Sequence, residues 1–298
     1  MIYHIPVLLH KSIEGLKIKS NGIYVDVTFG GGGHSREILS FLKSGRLVAF
    51  DADIDAMANS LKDERFMLLT QNFKFLSNNL RFHGIPGIDG LIADLGISSH
   101  QIDIPERGFS FRHDAVLDMR MNSAAKKSAI DILSEYSVEK LSEIFRYYGE
   151  IRNAGRLAGR IDEFRKTKKI ERVFDLVNLV KPLTGRGGEN KFMAKVFQAL
   201  RIEVNGEIEN LKQMLIQTVD IMDAGARLVV ITYHSLEDRL VKNFMRAGNF
   251  TGNIEKDIYG NFKVPFKQIN RKVIIPDENE ILKNKRARSA KLRIAERI

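Results

Sequence analysis

Over roughly the first third of the chain, short apolar runs alternate with longer amphipathic stretches. Ile23-Tyr24-Val25-Asp26-Val27 is a β-rich run that ends in glycines, which predicts a buried strand, and residues 35–42 follow a helical pattern. Leu47-Val48-Ala49-Phe50 predicts a second strand, closed by Asp51, and residues 54–62 a helix. Phe66-Met67-Leu68-Leu69 predicts a third strand, residues 74–82 a further helix, and residues 88–93 a fourth strand, closed by Asp94-Leu95-Gly96. Strands and helices in this alternation predict an α/β fold, a parallel sheet covered on both faces. From about residue 105 to 205 the strand signal disappears and helical patterns take over, at 129–133, 138–147, 154–164 and 173–180. The strand pattern resumes at Arg227-Leu228-Val229-Val230-Ile231-Thr232, after a long helix predicted from about Asn205 to Met222. The simplest organisation is a discontinuous α/β domain, residues 1–104 and 206–298, interrupted by a helical domain, residues 105–205. Residues 262–266 and 290–295 are candidate strands for an antiparallel edge.

Composition narrows the function classes. No apolar run approaches the roughly 20 residues that span a bilayer, so no membrane partner is expected. The first residues show no basic stretch followed by a long apolar core, hence no secretory signal is expected. Cysteine is absent, which excludes disulfides, thiolate zinc sites and a cysteine nucleophile, and suits a cytoplasmic location. Lys and Arg number 47 against 37 acids, a formal +10. Part of the excess is clustered: residues 271–298 hold nine basic residues against four acids. A second group comprises Arg152, Arg156, Arg160, Arg165, Lys166, Lys168, Lys169 and Arg172. Clusters of this kind point to a polyanionic partner such as RNA.

Gly30-Gly31-Gly32-Gly33 lies between a predicted strand and a predicted helix. Glycines there permit a sharp turn and let a ligand lie against the backbone, beside the free N–H groups of the helix start. Dinucleotides and S-adenosylmethionine both use such a turn. The dinucleotide pattern G-x-G-x-x-G fits poorly, because its third position is Ser35. Asp51 stands where an acid grips a ribose diol in either class, although an acid that ends a strand is also a common helix N-cap. The remaining strand ends favour S-adenosylmethionine: a turn for the methionine part, Asp51 for the ribose, Phe73 for the adenine, and Asp94 beside the reacting centre. His234 has no second ligand at metal spacing, so no metal is expected.

Longer motifs run in one order through the chain: His4-x-Pro6-Val7-Leu8-Leu9, Asp26-x-Thr28-Phe29-Gly30-x-Gly32-Gly33-His34-Ser35, Asp94-Leu95-Gly96-x-Ser98-Ser99, Glu106-Arg107-Gly108-Phe109-Ser110-Phe111, and Leu117-Asp118-Met119-Arg120-Met121. Then follow Val196-Phe197-Gln198-Ala199-Leu200-Arg201-Ile202, His234-Ser235-Leu236-Glu237-Asp238-Arg239, and Arg286-Ala287-Arg288-Ser289-Ala290-Lys291-Leu292-Arg293. With these motifs the chain resembles the bacterial small-subunit (16S) ribosomal RNA (cytosine-N4)-methyltransferase family, RsmH/MraW, over nearly its whole length. The resemblance implies a Rossmann-like S-adenosylmethionine-dependent methyltransferase sheet with an inserted α-helical, substrate-recognition domain. It implies N4-methylation of a cytidine in the decoding region of 16S rRNA; an assembled small subunit is the expected form of the substrate, with free RNA as the alternative, and the protein is expected to be a monomer or a homodimer. The cofactor residues it implies are Gly32, Gly33, His34, Asp51, Phe73, Asp94 and Gln101.

Within that reading Asp94 is the candidate catalytic acceptor, with a purely cofactor-binding role as the alternative. Phe109 could stack on the target base or pack in a core, and His234 and Ser235 could line the base pocket or cap a helix. Glu237, Asp238 and Arg239 read first as helix-start charges and an ion pair. The sequence departs from the family pattern at His100, where Pro is usual, at Tyr233, where Phe is usual, and in the variable stretch 184–190. Two other classes remain: a nicotinamide-dependent oxidoreductase, disfavoured by Ser35, and a non-catalytic RNA-binding protein on a methyltransferase scaffold, disfavoured by the intact Gly32, Gly33, Asp51 and Asp94.

Overall fold

The computed structural model describes residues 6–185, 187–256 and 258–298 and, at Ser99, the backbone alone. His4 of the first motif and Arg186 of the variable stretch lie outside the described residues. The chain divides into two compact units, Met1–Gly96 with Ile208–Ile298, and Ile97–Glu207.

The first unit opens with α1 (Leu9–Leu16), followed by β1 (Ile23–Asp26), α2 (Gly33–Phe41), β2 (Arg46–Phe50), β3 (Phe66–Leu69), α3 (Leu76–Phe82) and β4 (Ile88–Asp94). The second contains α4 (Ser99–Asp103), α5 (Ala129–Glu135), α6 (Val138–Tyr147), α7 (Ala154–Arg165), α8 (Val173–Val180) and α9 (Glu189–Asn205). The chain returns through α10 (Glu207–Ile221) to β5 (Met222–Thr232), α11 (Ser235–Ala247), β6 (Phe266–Gln268), α12 (Glu278–Lys283) and β7 (Lys291–Arg297).

The seven strands lie in the order β3-β2-β1-β4-β5-β7-β6, with β1 to β5 parallel and β7 antiparallel to both its neighbours. This is the Rossmann-like methyltransferase arrangement that the resemblance implied. The pleat explains why its central strands read as unbroken apolar runs. Tyr24, Leu47, Ile92 and Val229 enter the core on one face, and Val25, Val48, Leu91 and Val230 the core on the other. Each fully buried Val or Leu side chain contributes roughly 1.5–3 kcal/mol. From β1 the chain winds outward through β2 and β3, then returns to place β4 on the other flank of β1. The loops after β1 and β4 therefore diverge, and ligands of such sheets occupy the crevice that this opens.

Several expected elements differ in detail. Of residues 54–62, expected to be helical, only Ile54–Asn59 turn, as a 3-10 helix, and another 3-10 turn, Phe73–Phe75, precedes α3. The long helix expected from about Asn205 to Met222 is α10, Glu207–Ile221, and Gly206, in the left-handed region at φ 60°, ends the preceding helix α9. The edge strand falls at Phe266–Gln268 rather than 262–266. The division at Ile97 places Gln101 in the helical unit. There Ser98 opens α4 with a capping box: the Ser98 N–H donates to Gln101 Oε1 at 3.1 Å, and the Gln101 N–H donates to Ser98 Oγ at 3.2 Å. Leu117, Phe145, Leu157, Leu176 and Leu200 centre the core of that unit.

Candidate active site at the carboxyl ends of the strands

The turn between β1 and α2 is shaped by two glycines for different reasons. Gly32 adopts φ 73°, and a Cβ there would also stand 2.8 Å from the Phe29 ring. Gly33 is sterically required, since its Cβ would meet Pro6 Cγ at 2.1 Å. Gly31 between Gly30 and Gly32 has nothing within 4 Å of a Cβ position, so this side of the turn is open. Asp26, at the end of β1, is buried and accepts from Ser35 Oγ at 2.7 Å and the Thr28 N–H at 3.0 Å. Ser35, the residue that breaks the dinucleotide pattern, thus anchors the turn to its strand. Burial pushes the Asp26 carboxyl upward against those hydrogen bonds.

Asp51 follows β2. Its Oδ2 accepts from the Gly30 N–H at 2.7 Å and its Oδ1 from the Asp53 N–H at 2.8 Å. The helix-cap reading belongs instead to Asp53, whose Oδ1 accepts the Asp55 N–H at 3.2 Å. Burial raises the Asp51 carboxyl to about 6, opposed by its two backbone donors and reinforced by the charges of Asp53 and Asp26. Phe73 begins the turn after β3 and is half-buried against the core, with Asn72 capping that turn through Lys74 N–H at 2.9 Å.

Asp94 ends β4. Its N–H donates to Thr28 Oγ1 at 2.6 Å, which ties the strand end to the glycine turn. Tyr233, just past the end of β5, donates its hydroxyl to Asp94 Oδ1 at 2.7 Å. Asp94 Oδ2 lies 3.9 Å from Nδ1 of His34, the second residue of α2. His34 Nε2 is 3.1 Å from the Val7 carbonyl. A carbonyl only accepts, so Nε2 carries the proton and Nδ1 of the neutral ring is bare. Burial drives the His34 imidazole down to about 4, which keeps it neutral. Burial raises Asp94 to about 7; the Tyr233 hydrogen bond holds it down, and the charges of Asp26 and Glu237 push it further up. The Val7 carbonyl is fixed in turn, because Leu8 adopts a left-handed φ of 53° and donates its N–H to Glu280 Oε1 at 2.6 Å.

The expected substrate residues Phe109, His234 and Ser235 and the expected cofactor residue Gln101 occupy four distinct local settings. Phe109 takes the core-packing alternative: it is only 7% exposed, packed in the helical core with the Arg107 guanidinium 6.0 Å from its ring centroid. His234 is the N-cap of α11, accepting the Glu237 N–H at Nδ1 over 3.4 Å, and Glu237 Oε2 accepts the Tyr233 N–H at 3.0 Å. Ser235, exposed, starts that helix. Gln101 is buried in the helical unit, with Oε1 engaged by Ser98 N–H. Asp238 pairs with Arg293 at 2.6 Å and Lys291 at 3.4 Å on β7, rather than with Arg239. Much of the basic group on the helical unit is also engaged internally. Arg165 and Lys166 meet Asp162 at 2.7 and 2.8 Å, Lys168 meets Asp175 at 2.6 Å, and Arg172 meets Asp114 at 2.7 Å.

The family assignment rests on the whole chain. The MraW methylase family matches residues 1–298. This chain belongs to the MraW methylase family. A Ribosomal RNA small subunit methyltransferase H of Parabacteroides distasonis is 54% identical over 298 residues, covering 99% of this chain and 98% of the relative. One from Cytophaga hutchinsonii is 55% identical over 298 residues, covering 99% of this chain and all of the relative. As an MraW methylase the protein is a methyltransferase, with S-adenosyl-L-methionine as its methyl donor. Among the described residues no helix is long and apolar enough to cross a membrane.

Reading the sequence of this MraW methylase missed the partners of Asp94. Thr28 and His34 come from one motif and Tyr233 precedes another, and only the strand order β1-β4-β5 brings them to Asp94, Thr28 at its backbone N–H and the other two at its carboxylate. The signal was present in Tyr233, a hydroxyl one residue beyond a strand whose neighbour ends in an acid.

Proposed function

We propose that this methyltransferase acts on N4 of a cytidine in the decoding region of 16S rRNA, within an assembled small ribosomal subunit in the cytoplasm. The observation that carries the reading is Asp94, a half-buried carboxyl poised near neutrality beside an open glycine turn. Relatives named as small-subunit rRNA methyltransferases support an rRNA substrate, and the motif resemblance supplies the base and the atom.

The strand-end residues fit the cofactor. Gly31 leaves room along the turn, Asp51 keeps acceptor capacity for a ribose diol, and Phe73 offers a half-buried ring to an adenine. When bound, S-adenosylmethionine supplies an electrophilic methyl on its sulfonium. The cytosine amino group is a weak nucleophile because its lone pair is delocalised into the ring. Alignment by the site therefore contributes much of the acceleration. Asp94 accepts a hydrogen bond from N4, stabilises the positive charge that develops there and takes the departing proton. The base leaves its stack to reach this depth. Arg152, Arg156 and Lys169, exposed on the helical unit and without a hydrogen-bond or ion-pair partner among the described residues, contact phosphates.

The test is incubation with labelled S-adenosylmethionine and small subunits from a strain lacking the enzyme. Nucleoside mass spectrometry should find N4-methylcytidine in assembled subunits and little in naked 16S rRNA. Label on no RNA nucleotide would overturn the reading, and a C5 or ribose methyl would overturn the choice of atom.

A further inference from the structure

We propose that Tyr233 is a positioning residue: it holds Asp94 Oδ1 and so assigns Oδ2 as the oxygen that meets the substrate amino group and receives its proton. The inference rests on the reading of Asp94 as the acceptor for N4.

The geometry divides the two carboxylate oxygens. Oδ1 receives the Tyr233 hydroxyl at 2.7 Å, a charge-assisted bond of ordinary length. The phenol can only donate there, and burial with the neighbouring Asp94 charge raises its own ionisation well beyond the usual range, so it does not accept the amino proton. Oδ2 faces the bare Nδ1 of His34 at 3.9 Å, which is too long for a hydrogen bond and is the separation two facing acceptors keep. A proton on Oδ2 changes that relation, because the new O–H can donate to Nδ1. In the reaction N4 gains the methyl while the donor sulfur keeps the electron pair of the broken bond. N4 then loses one proton to Oδ2, and Asp94 becomes neutral with His34 Nδ1 ready to accept its O–H.

The groups that face Asp94 come from every adjoining element. Thr28 Oγ1 binds its N–H from the turn, Asp26 adds negative charge from β1, His34 faces it from α2, and Glu237 adds negative charge from α11. Glu280 of α12 acts on Tyr233 in the same sense. Among these, the Tyr233 hydroxyl is the one group that holds the carboxyl down against its burial. Losing it makes Asp94 harder to ionise.

Tyr233→Phe keeps the ring and removes the donor. The acid limb of the kcat–pH profile should move up by about one unit, a loss of turnover of roughly fivefold at pH 7 and roughly tenfold below about pH 6 that recovers above about pH 9. Cofactor affinity should hold. In the cofactor-free protein, carbon-13 NMR of the Asp94 carboxyl should show its midpoint rising from about 7 by a similar amount. Replacing Tyr233 with 3-fluorotyrosine, a stronger donor, should shift both in the opposite direction. An unmoved limb and carboxyl midpoint in Tyr233→Phe, or a loss equal at every pH, would overturn the role of Tyr233. Wild-type protein that makes no N4-methylcytidine would instead overturn the underlying function, whatever the NMR titration shows.

Discussion

The same side chain behaves in opposite ways in two regions of this molecule. At the ends of β1, β2 and β4, Asp26 is buried and Asp51 and Asp94 are half-buried, with hydroxyl and backbone donors but no basic partner, and desolvation pushes each of them up. In the helical unit Asp114 is pulled down by Arg172 and Asp162 by Lys166 and Arg165, while Asp118 is pulled down by Arg120 despite partial burial. The surface acids belong to ion pairs that assist folding. The strand-end acids lower stability at neutral pH, and on the proposed function Asp51 and Asp94 are kept ready for a ligand. Site and scaffold are thus distinguished by the partner each acid has, not by the residue type.

The comparison is broken most strongly at Asp94. Asp94→Asn should lower turnover by about 10²–10³-fold while cofactor affinity falls far less, measured by single-turnover kinetics and calorimetry; an equal loss of both would make Asp94 a cofactor ligand only. The same variant should stabilise the cofactor-free protein. A carboxyl whose folded value is about 7 against an ordinary 3.8 stabilises the fold fully below 3.8, and that contribution is lost as pH rises through 7. Above neutrality Asn should therefore raise stability by up to about 4 kcal/mol, with the gap closing as pH falls through 7. Thermal melts across pH read this directly.

Next comes Asp51→Asn. It should weaken cofactor binding by about 10- to 100-fold, the range of a charged hydrogen bond, with little change in turnover at saturation. In the helical unit the sign reverses. Asp118 receives Arg120 Nε and Nη2 at 2.8 and 2.7 Å, and Asp118→Asn should destabilise by about 1–2 kcal/mol near neutral pH. Because the Asp118 carboxyl is depressed below 3.8, that loss should vanish as pH falls through its folded value. The smallest effect is expected at the surface: Arg156→Ala and Lys169→Ala should each weaken subunit binding a few-fold and reduce the salt slope by about 1.

Much of this contrast was legible in the sequence, but not its causes. The central strands announced themselves because burial on both faces demands unbroken apolar runs. The three-residue β6 did not, since pairing with β7 rather than its own pattern makes it a strand. Gly206 fell at the expected start of a helix, and only its left-handed φ shows that it also ends the helix before it. The strand-end acids were readable from their position after each apolar run. The Asp94 cluster was not, because β1, β4 and β5 become neighbours only in the folded sheet. The basic stretch from Arg152 to Arg172 gave a correct count of charge, but counting could not show that Asp114, Asp162 and Asp175 already occupy half of it.

Val7 carries a consequence that side-chain replacement would pass over. Its carbonyl selects the tautomer of His34, and no substitution of its side chain removes that carbonyl. Alanine scanning of the segment would report an ordinary apolar residue. Replacing the Val7–Leu8 peptide bond with an ester would weaken that acceptor and delete the donor to Glu280 together. Such a change loosens the hold on which imidazole nitrogen is basic without replacing any titratable side chain, so part of the proton inventory of this enzyme is encoded in its backbone.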